Sequence, residues 1–256
     1  MKKQINILWS YIGGKMEIVF DEGYSFGLGI FETMSVVDNH VVLLDYHLQR
    51  LKGGTEALGI KSHVTKDEVN DYIKKNPMKN GVLKIIVSDK NIIWQCRENT
   101  YTHDKYKKGV SAEISSIIRN ETSPLTYVKS LNYGDNIIEK RCASQRGYDE
   151  PVFVNTKGQL TEGATTNIFF IKDNRIFTPD LSCGMLNGTI RKYIIDTYDV
   201  SEKIIYPHEI STFDEMFFTN SLMGIMPAYR FGEHKFKSRN KCDDILNEYL
   251  KKRTCL

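Results

Sequence analysis

A chain of 256 residues, 41% hydrophobic and 26% charged, is long enough to bury a sizeable core as one large domain or two modest ones. A net charge of +3 is too small to argue for a nucleic-acid partner, and the basic stretches at 235–239 and 251–253 read as a solvated tail and helix face. Cys96, Cys142, Cys183, Cys242 and Cys255 are widely spaced with no CxxC pair, and the histidines show no ligand spacing, so neither a disulfide framework nor a metal site is expected.

No sustained apolar run follows Met1-Lys2-Lys3, and no stretch approaches the ~20 apolar residues of a membrane helix. No membrane partner and a cytoplasmic location are therefore expected. Residues 4–10 and 16–20 read as strands joined through Gly13-Gly14. Gly23, Gly27 and Gly29 imply tight turns feeding a strand, without a GxGxxG fingerprint for a dinucleotide. Residues 34–38 and 41–44 pair across Asp38-Asn39. Asp45 is expected to cap a helix to about Leu58, stopped by Gly59, with His47 and Arg50 three apart on one face. Thr65 and Glu68 form a capping-box pattern for a helix to about Lys75. Residues 82–88, 91–96 and 109–118 alternate like strands, so the first half is α+β with strands in runs.

The polar stretch 119–126, with Ser123-Pro124, reads as a linker between an N-terminal α+β domain (1–118) and a C-terminal α+β domain (127–256). Beyond it, 135–146 has helical spacing and a stop at Gly147. Strands follow at 151–155, 159–162, 166–171 and 175–178, then Leu186 to Arg191 opens a helix to about Tyr198. A strand at 215–220 and a helix at 241–252 complete the chain.

Lys129 and Glu162 stand among apolar and small polar residues. An amine and a carboxylate flanked by hydroxyls and glycines suit an aldehyde cofactor that carries a phosphate and a ring nitrogen. On residue chemistry alone, Lys129 also reads as a surface lysine, Glu162 as a strand-end carboxylate and Arg50 as a solvated helix arginine.

Four segments carry a resemblance. Lys129-Ser130-Leu131-Asn132-Tyr133, Thr161-Glu162-Gly163-Ala164-Thr165-Thr166-Asn167, Asn187-Gly188-Thr189-Ile190-Arg191 and His47-Leu48-Gln49-Arg50-Leu51 resemble the motif set of the fold-type IV pyridoxal-phosphate enzymes, in the family's order and roughly its spacing. That family includes branched-chain and D-amino-acid aminotransferases and 4-amino-4-deoxychorismate lyase. The resemblance implies two mixed α/β domains, pyridoxal 5′-phosphate in the cleft between them, a small-molecule substrate and a homodimer. It implies that Lys129 carries the cofactor and shuttles a proton. Glu162 would pair with the pyridine nitrogen. Arg50 and the amides of Thr189 and Ile190, after Gly188, would hold the phosphate. Thr165, Thr166 and Asn167 would line the cofactor, with the Thr219 hydroxyl near the phosphate.

The segment from Thr219-Asn220 through Leu222-Met223 to Pro227 resembles the Asn-x-Leu-Met-x-x-x-Pro stretch of the aminodeoxychorismate lyases, although Leu222, Met223 and Met226 also read as core packing. It implies loss of pyruvate to give 4-aminobenzoate. The alternatives are an aminotransferase of the same fold and a cofactor-free binding protein on the same scaffold. Gly27-Leu28-Gly29 lacks the acidic residue usual in the family. Arg97 is the candidate grip on a substrate carboxylate. Tyr24, Thr33 and Asn220 would also face the substrate, with Thr33 or a nearby water protonating the leaving group.

Overall fold

The computed structural model describes residues 18–253, so the expected strand at 4–10 and the start of the one at 16–20 lie outside the described residues. Residues 18–20 form no strand. Contacts sort the described chain into two compact units, one of 18–100 with 128–132 and 253, the other of 101–127 with 133–252. This corrects the expected boundary at 118/119. Residues 110–119 are a strand inside the second unit's sheet, so the polar composition of 119–126 marks a surface connection and not a domain border. Residues 128–132 return to the first unit because Phe31 N donates to Lys129 O (3.0 Å) and Leu131 N to Gly29 O (2.8 Å).

The first unit opens with a short helix, α1 (Glu22–Phe26). Asp21 caps it by accepting from Tyr24 N, and Gly27, at φ 71, ends it in a left-handed conformation that a side chain disfavours. The other Asp21 oxygen accepts from Ser88 Oγ (2.6 Å), Lys90 N (3.0 Å) and Asn91 Nδ2 (2.9 Å), which pins the glycine-rich turn. There follow β1 (Ile30–Val37), β2 (His40–Val41), α2 (Leu44–Ala57), α3 (Lys66–Lys75), β3 (Asn80–Val87) and β4 (Ile92–Glu98). Asp38 and Asn39, both at positive φ (48 and 64), make the tight turn between β1 and β2. Thr65 and Glu68 form the expected capping box of α3. At α2 the expectation is corrected: Leu43, at φ 56, occupies the cap position, and Asp45 sits in the first turn, where it accepts from Lys66 Nζ (2.8 Å). The bend out of the β1–β2 hairpin puts the cap two residues before the polar side chain.

The four strands pair antiparallel in the order β2-β1-β3-β4. Alternation along them sorts two faces. Ile30, Met34 and Val36, with Leu83, Ile85, Val87 and Cys96, bury against Leu44 and Leu51 of α2 and Val69 and Ile73 of α3. Each such side chain contributes roughly 1.5–3 kcal/mol of apolar burial. Glu32 falls on this helix-covered face. The opposite face carries Phe31, Thr33, Lys84 and Arg97, because Thr33 pairs with Lys84, Lys84 with Gln95 and Val82 with Arg97.

The second unit contains α4 (His103–Lys108), β5 (Val110–Arg119), α5 (Gly134–Gln145), β6 (Glu150–Asn155), β7 (Leu160–Gly163), β8 (Asn167–Lys172), β9 (Arg175–Pro179), α6 (Thr189–Thr197), β10 (Val200–Lys203), β11 (Glu215–Asn220), β12 (Gly224–Phe231), β13 (His234–Lys235) and α7 (Asn240–Lys252). Its sheet runs β10-β9-β8-β11-β12-β5-β6-β7, with β13 on β12. β5 lies parallel to both β12 and β6, and β10 parallel to β9; the remaining pairs are antiparallel. Leu160, Ile168, Phe170, Met216, Phe218, Met223 and Met226 lie in one core cluster. Two of the methionines in the lyase-like tail are therefore core residues, and Asn220 ends β11.

Candidate active site

In the first unit the chemistry gathers around β1. Lys129 places its Nζ 4.4 Å from the Phe31 ring centroid, and Lys84 places its Nζ 4.9 Å from the same centroid. Lys84 is half-buried, and burial together with the nearby Arg97 charge lowers its pKa. Among the described residues no carboxylate lies within ion-pair distance of Lys84 or Arg97. Arg97 is a diagonal neighbour of Lys84 on the sheet and donates to Glu98 O (3.0 Å). Thr33, directly across from Lys84, is half-buried. Tyr24 is 73% exposed on α1, its ring 5.5 Å from that of Phe20.

On the helix-covered face, Glu32 accepts from Arg50 Nε (2.7 Å), Arg50 Nη2 (2.6 Å) and His47 Nδ1 (2.6 Å). Burial alone would raise the Glu32 pKa, but the Arg50 and His47 partners hold it at about 2. Burial lowers the pKa of His47 despite the Glu32 carboxylate, with Arg50 and Lys129 adding to the effect.

In the second unit, Glu162 on β7 is buried. Its Oε1 accepts from Arg119 Nη2 (3.2 Å) and its Oε2 from Leu186 N (3.2 Å). Arg119 also donates to Asn136 Oδ1 (3.3 Å) and lies 4.0 Å from the Phe153 ring centroid. Glu150, 1% exposed, accepts from Thr165 N (2.8 Å), Thr166 Oγ1 (2.9 Å) and Lys140 Nζ, and so shapes the loop after Gly163. Asn167 donates to Leu186 O (2.8 Å) and accepts from Gly188 N (3.1 Å), which fixes the entry into α6. A Cβ on Gly188 would collide with Asn167 Oδ1, so a larger residue there would push the Asn167 side chain out of this arrangement. Thr189 opens α6 and shares a hydrogen bond with Ser221 Oγ (2.9 Å). Asn220 Oδ1 accepts from Leu222 N (3.0 Å) and Met223 N (2.9 Å), which fixes the turn between β11 and β12.

These residues fit pyridoxal phosphate. The Thr219 hydroxyl is buried, with no hydrogen-bond partner among the described residues. The first-turn amides of α6 have no acceptor within the helix, the arrangement that binds phosphate. Glu162 is a buried carboxylate whose orientation is set from both oxygens. Within the first unit, taken by itself, Lys129 is an amine and Arg50 a cation of the kinds that such a cofactor requires.

The structure thus groups Lys129, Arg50, Thr33 and Arg97 in one unit, and Glu162, Thr165, Thr166, Asn167, Gly188, Thr189, Ile190, Thr219 and Asn220 in the other. Sequence reasoning missed Glu32, Lys84, Arg119 and Glu150. Two of them carried a signal: Glu32 and Lys84 are charges in otherwise apolar strands, and Glu32 falls in phase with the core positions Ile30 and Met34. Arg119 was hidden in a segment read as linker.

Residues 29–231 match the model of amino-transferase class IV. Aminodeoxychorismate lyase of Bacillus subtilis is 29% identical over 244 residues, covering 86% of this chain and 83% of that protein. A protein assigned as a branched-chain-amino-acid aminotransferase in Methanocaldococcus jannaschii is 27% identical over 264 residues, covering 90% and 91%. Among solved structures, a protein assigned as 4-amino-4-deoxychorismate lyase from Legionella pneumophila superposes with a TM-score of 0.85 at 26% identity, covering 94% of this chain and 97% of that one. The chain belongs to the amino-transferase class IV family, with the mixed α/β architecture of the fold-type IV pyridoxal-phosphate enzymes.

Proposed function

We propose that this chain is a pyridoxal-phosphate-dependent 4-amino-4-deoxychorismate lyase, acting as a cytoplasmic homodimer that releases pyruvate and 4-aminobenzoate for folate synthesis. The observation that carries this reading is the Lys84–Arg97 pair: two cations without an acidic partner among the described residues, on the sheet face that also carries Phe31 and Thr33. Such a pair suits an amine substrate with two carboxylates. Similarity to lyases in sequence and in fold supports it.

When bound, pyridoxal phosphate supplies a covalent hold on the substrate amine and a sink for the electrons of the neighbouring carbon. Lys129 takes the proton from that carbon, with the Phe31 ring shielding one side of its amine. Glu162 keeps a proton on the ring nitrogen, and Arg119 and the Leu186 amide keep the Glu162 carboxylate in place. Arg50, the Thr189 and Ile190 amides and the Thr219 hydroxyl hold the phosphate, while Thr165, Thr166 and Asn167 line the cofactor. Lys84 and Arg97 hold the substrate carboxylates; Tyr24 and Asn220 also contact the substrate, and Thr33 delivers a proton to the departing enolpyruvyl group.

The test is turnover of aminodeoxychorismate, with 4-aminobenzoate and pyruvate followed together. Equal formation of both, lost in Lys129→Ala, is the expected result. If cofactor-loaded protein forms neither product, the aminotransferase reading replaces it. That alternative draws on the 27% identity to the archaeal aminotransferase-type relative and is examined with branched-chain and D-amino acids. Protein that borohydride cannot tag at Lys129 in the presence of cofactor would argue instead for a cofactor-free binding protein.

A further inference from the structure

Glu32 is 1% exposed and shares its sheet face with the core residues Ile30 and Met34. A carboxylate in that position needs full satisfaction. It accepts from Arg50 Nε at 2.7 Å, Arg50 Nη2 at 2.6 Å and His47 Nδ1 at 2.6 Å. Since an ionised carboxylate only accepts, the His47 Nδ1 carries the proton, and a neutral imidazole braces Glu32 from one helical turn before Arg50. The side-on grip consumes the Nε/Nη2 edge of the guanidinium. Among the described residues Nη1 has no protein acceptor, so Arg50 is left with one donor edge in a fixed orientation.

We propose that Glu32, braced by His47, is a positioning residue that locks Arg50 into the rotamer that receives the cofactor phosphate. The inference rests on the proposal that the chain binds pyridoxal phosphate. Glu32 exerts two opposed effects on a phosphate at Arg50. Its charge repels the dianion, and its grip removes the rotamer freedom that Arg50 would otherwise lose on binding. The geometry points to the second as the larger. Two short hydrogen bonds hold the guanidinium directly, whereas the repulsion acts through the intervening guanidinium cation.

The experiment titrates the full-length chain, as wild type and as Glu32→Gln, with pyridoxal 5′-phosphate and with pyridoxal, following the visible absorbance of the lysine-bound aldehyde. In Glu32→Gln the affinity for pyridoxal 5′-phosphate is expected to fall about tenfold, the loss from releasing an arginine rotamer less the relief of repulsion, while the affinity for pyridoxal stays unchanged. Unchanged or tighter binding of pyridoxal 5′-phosphate overturns the proposal, because charge repulsion then dominates. An equal loss for both probes also overturns it, because the damage is then general. If Glu32→Gln does not fold, Glu32→Asp carries the comparison. That variant keeps the charge and withdraws the carboxylate by one methylene, and a loss confined to the phosphorylated probe supports the lock. No absorbance band with either probe in the wild type would overturn the cofactor reading, and this inference with it.

Discussion

Replacing Arg119 with methionine strands Glu162 among its buried neighbours. The two side chains are 13% and 10% exposed and meet at 3.2 Å, so the pair is close to fully desolvated. Removing one partner of a buried pair costs about 3–5 kcal/mol, because the remaining charge loses that cation without regaining full hydration. Methionine keeps part of the packing on the Phe153 ring, where the guanidinium lay 4.0 Å from the centroid, which places the expected loss near the lower figure. At about 2–4 °C per kcal/mol for a chain of this size, the melting temperature should fall by roughly 6–12 °C. The double variant Arg119→Met/Glu162→Gln removes the stranded charge and should melt within a few degrees of wild type. Thermal melts of wild type, both single variants and the double variant complete the cycle. The reasoning fails if Arg119→Met melts with the wild type, or if the double variant loses the full sum of the single losses.

Lys129→Ala should abolish turnover without lowering the melting temperature, and a wild-type rate in that variant would remove Lys129 from the mechanism. Lys84→Met should raise KM for the dicarboxylate about 10- to 100-fold, the worth of one charge-assisted hydrogen bond, with a smaller effect on kcat. An unchanged KM would release Lys84 from the substrate. Acid should destabilise the protein in two stages. His47, held neutral when folded, takes up a proton on unfolding, so stability falls as pH drops through its ordinary value of 6.5. Glu32 adds stability that is fully present above its ordinary value of 4.5 and lost as pH falls toward about 2, a difference worth roughly 3 kcal/mol. Melting temperature against pH should lose the lower stage in Glu32→Gln, and an identical profile in that variant would refute the assignment.

What could be read from the sequence was local. The capping box of Thr65 and Glu68, the Asp38-Asn39 turn and the stop at Gly147 each depend on residues within a few positions of one another and stand where the pattern places them, and α6 opens at Thr189, within the expected segment 186–191. Asp45 is one local reading that failed, as is the strand expected over 18–20: the left-handed bend at Leu43, at the hairpin exit, begins the helix before the polar side chain. The motif set around Lys129 and Glu162 pointed to the family because its residues are contiguous within each segment. The partners of those residues were beyond reach. Glu32 meets His47 and Arg50 across 15 and 18 residues, and Arg119 meets Glu162 across 43. Lys84 and Arg97 share a face with Phe31 and Thr33 through the register of β1, β3 and β4. Lys129 left the expected C-terminal domain for the other unit through backbone bonds to Gly29 and Phe31. Segment chemistry and periodicity are properties of neighbours along the chain, whereas strand register and the partner of a buried charge are settled only when distant segments pack, because desolvation then forces each charge to find its counterpart.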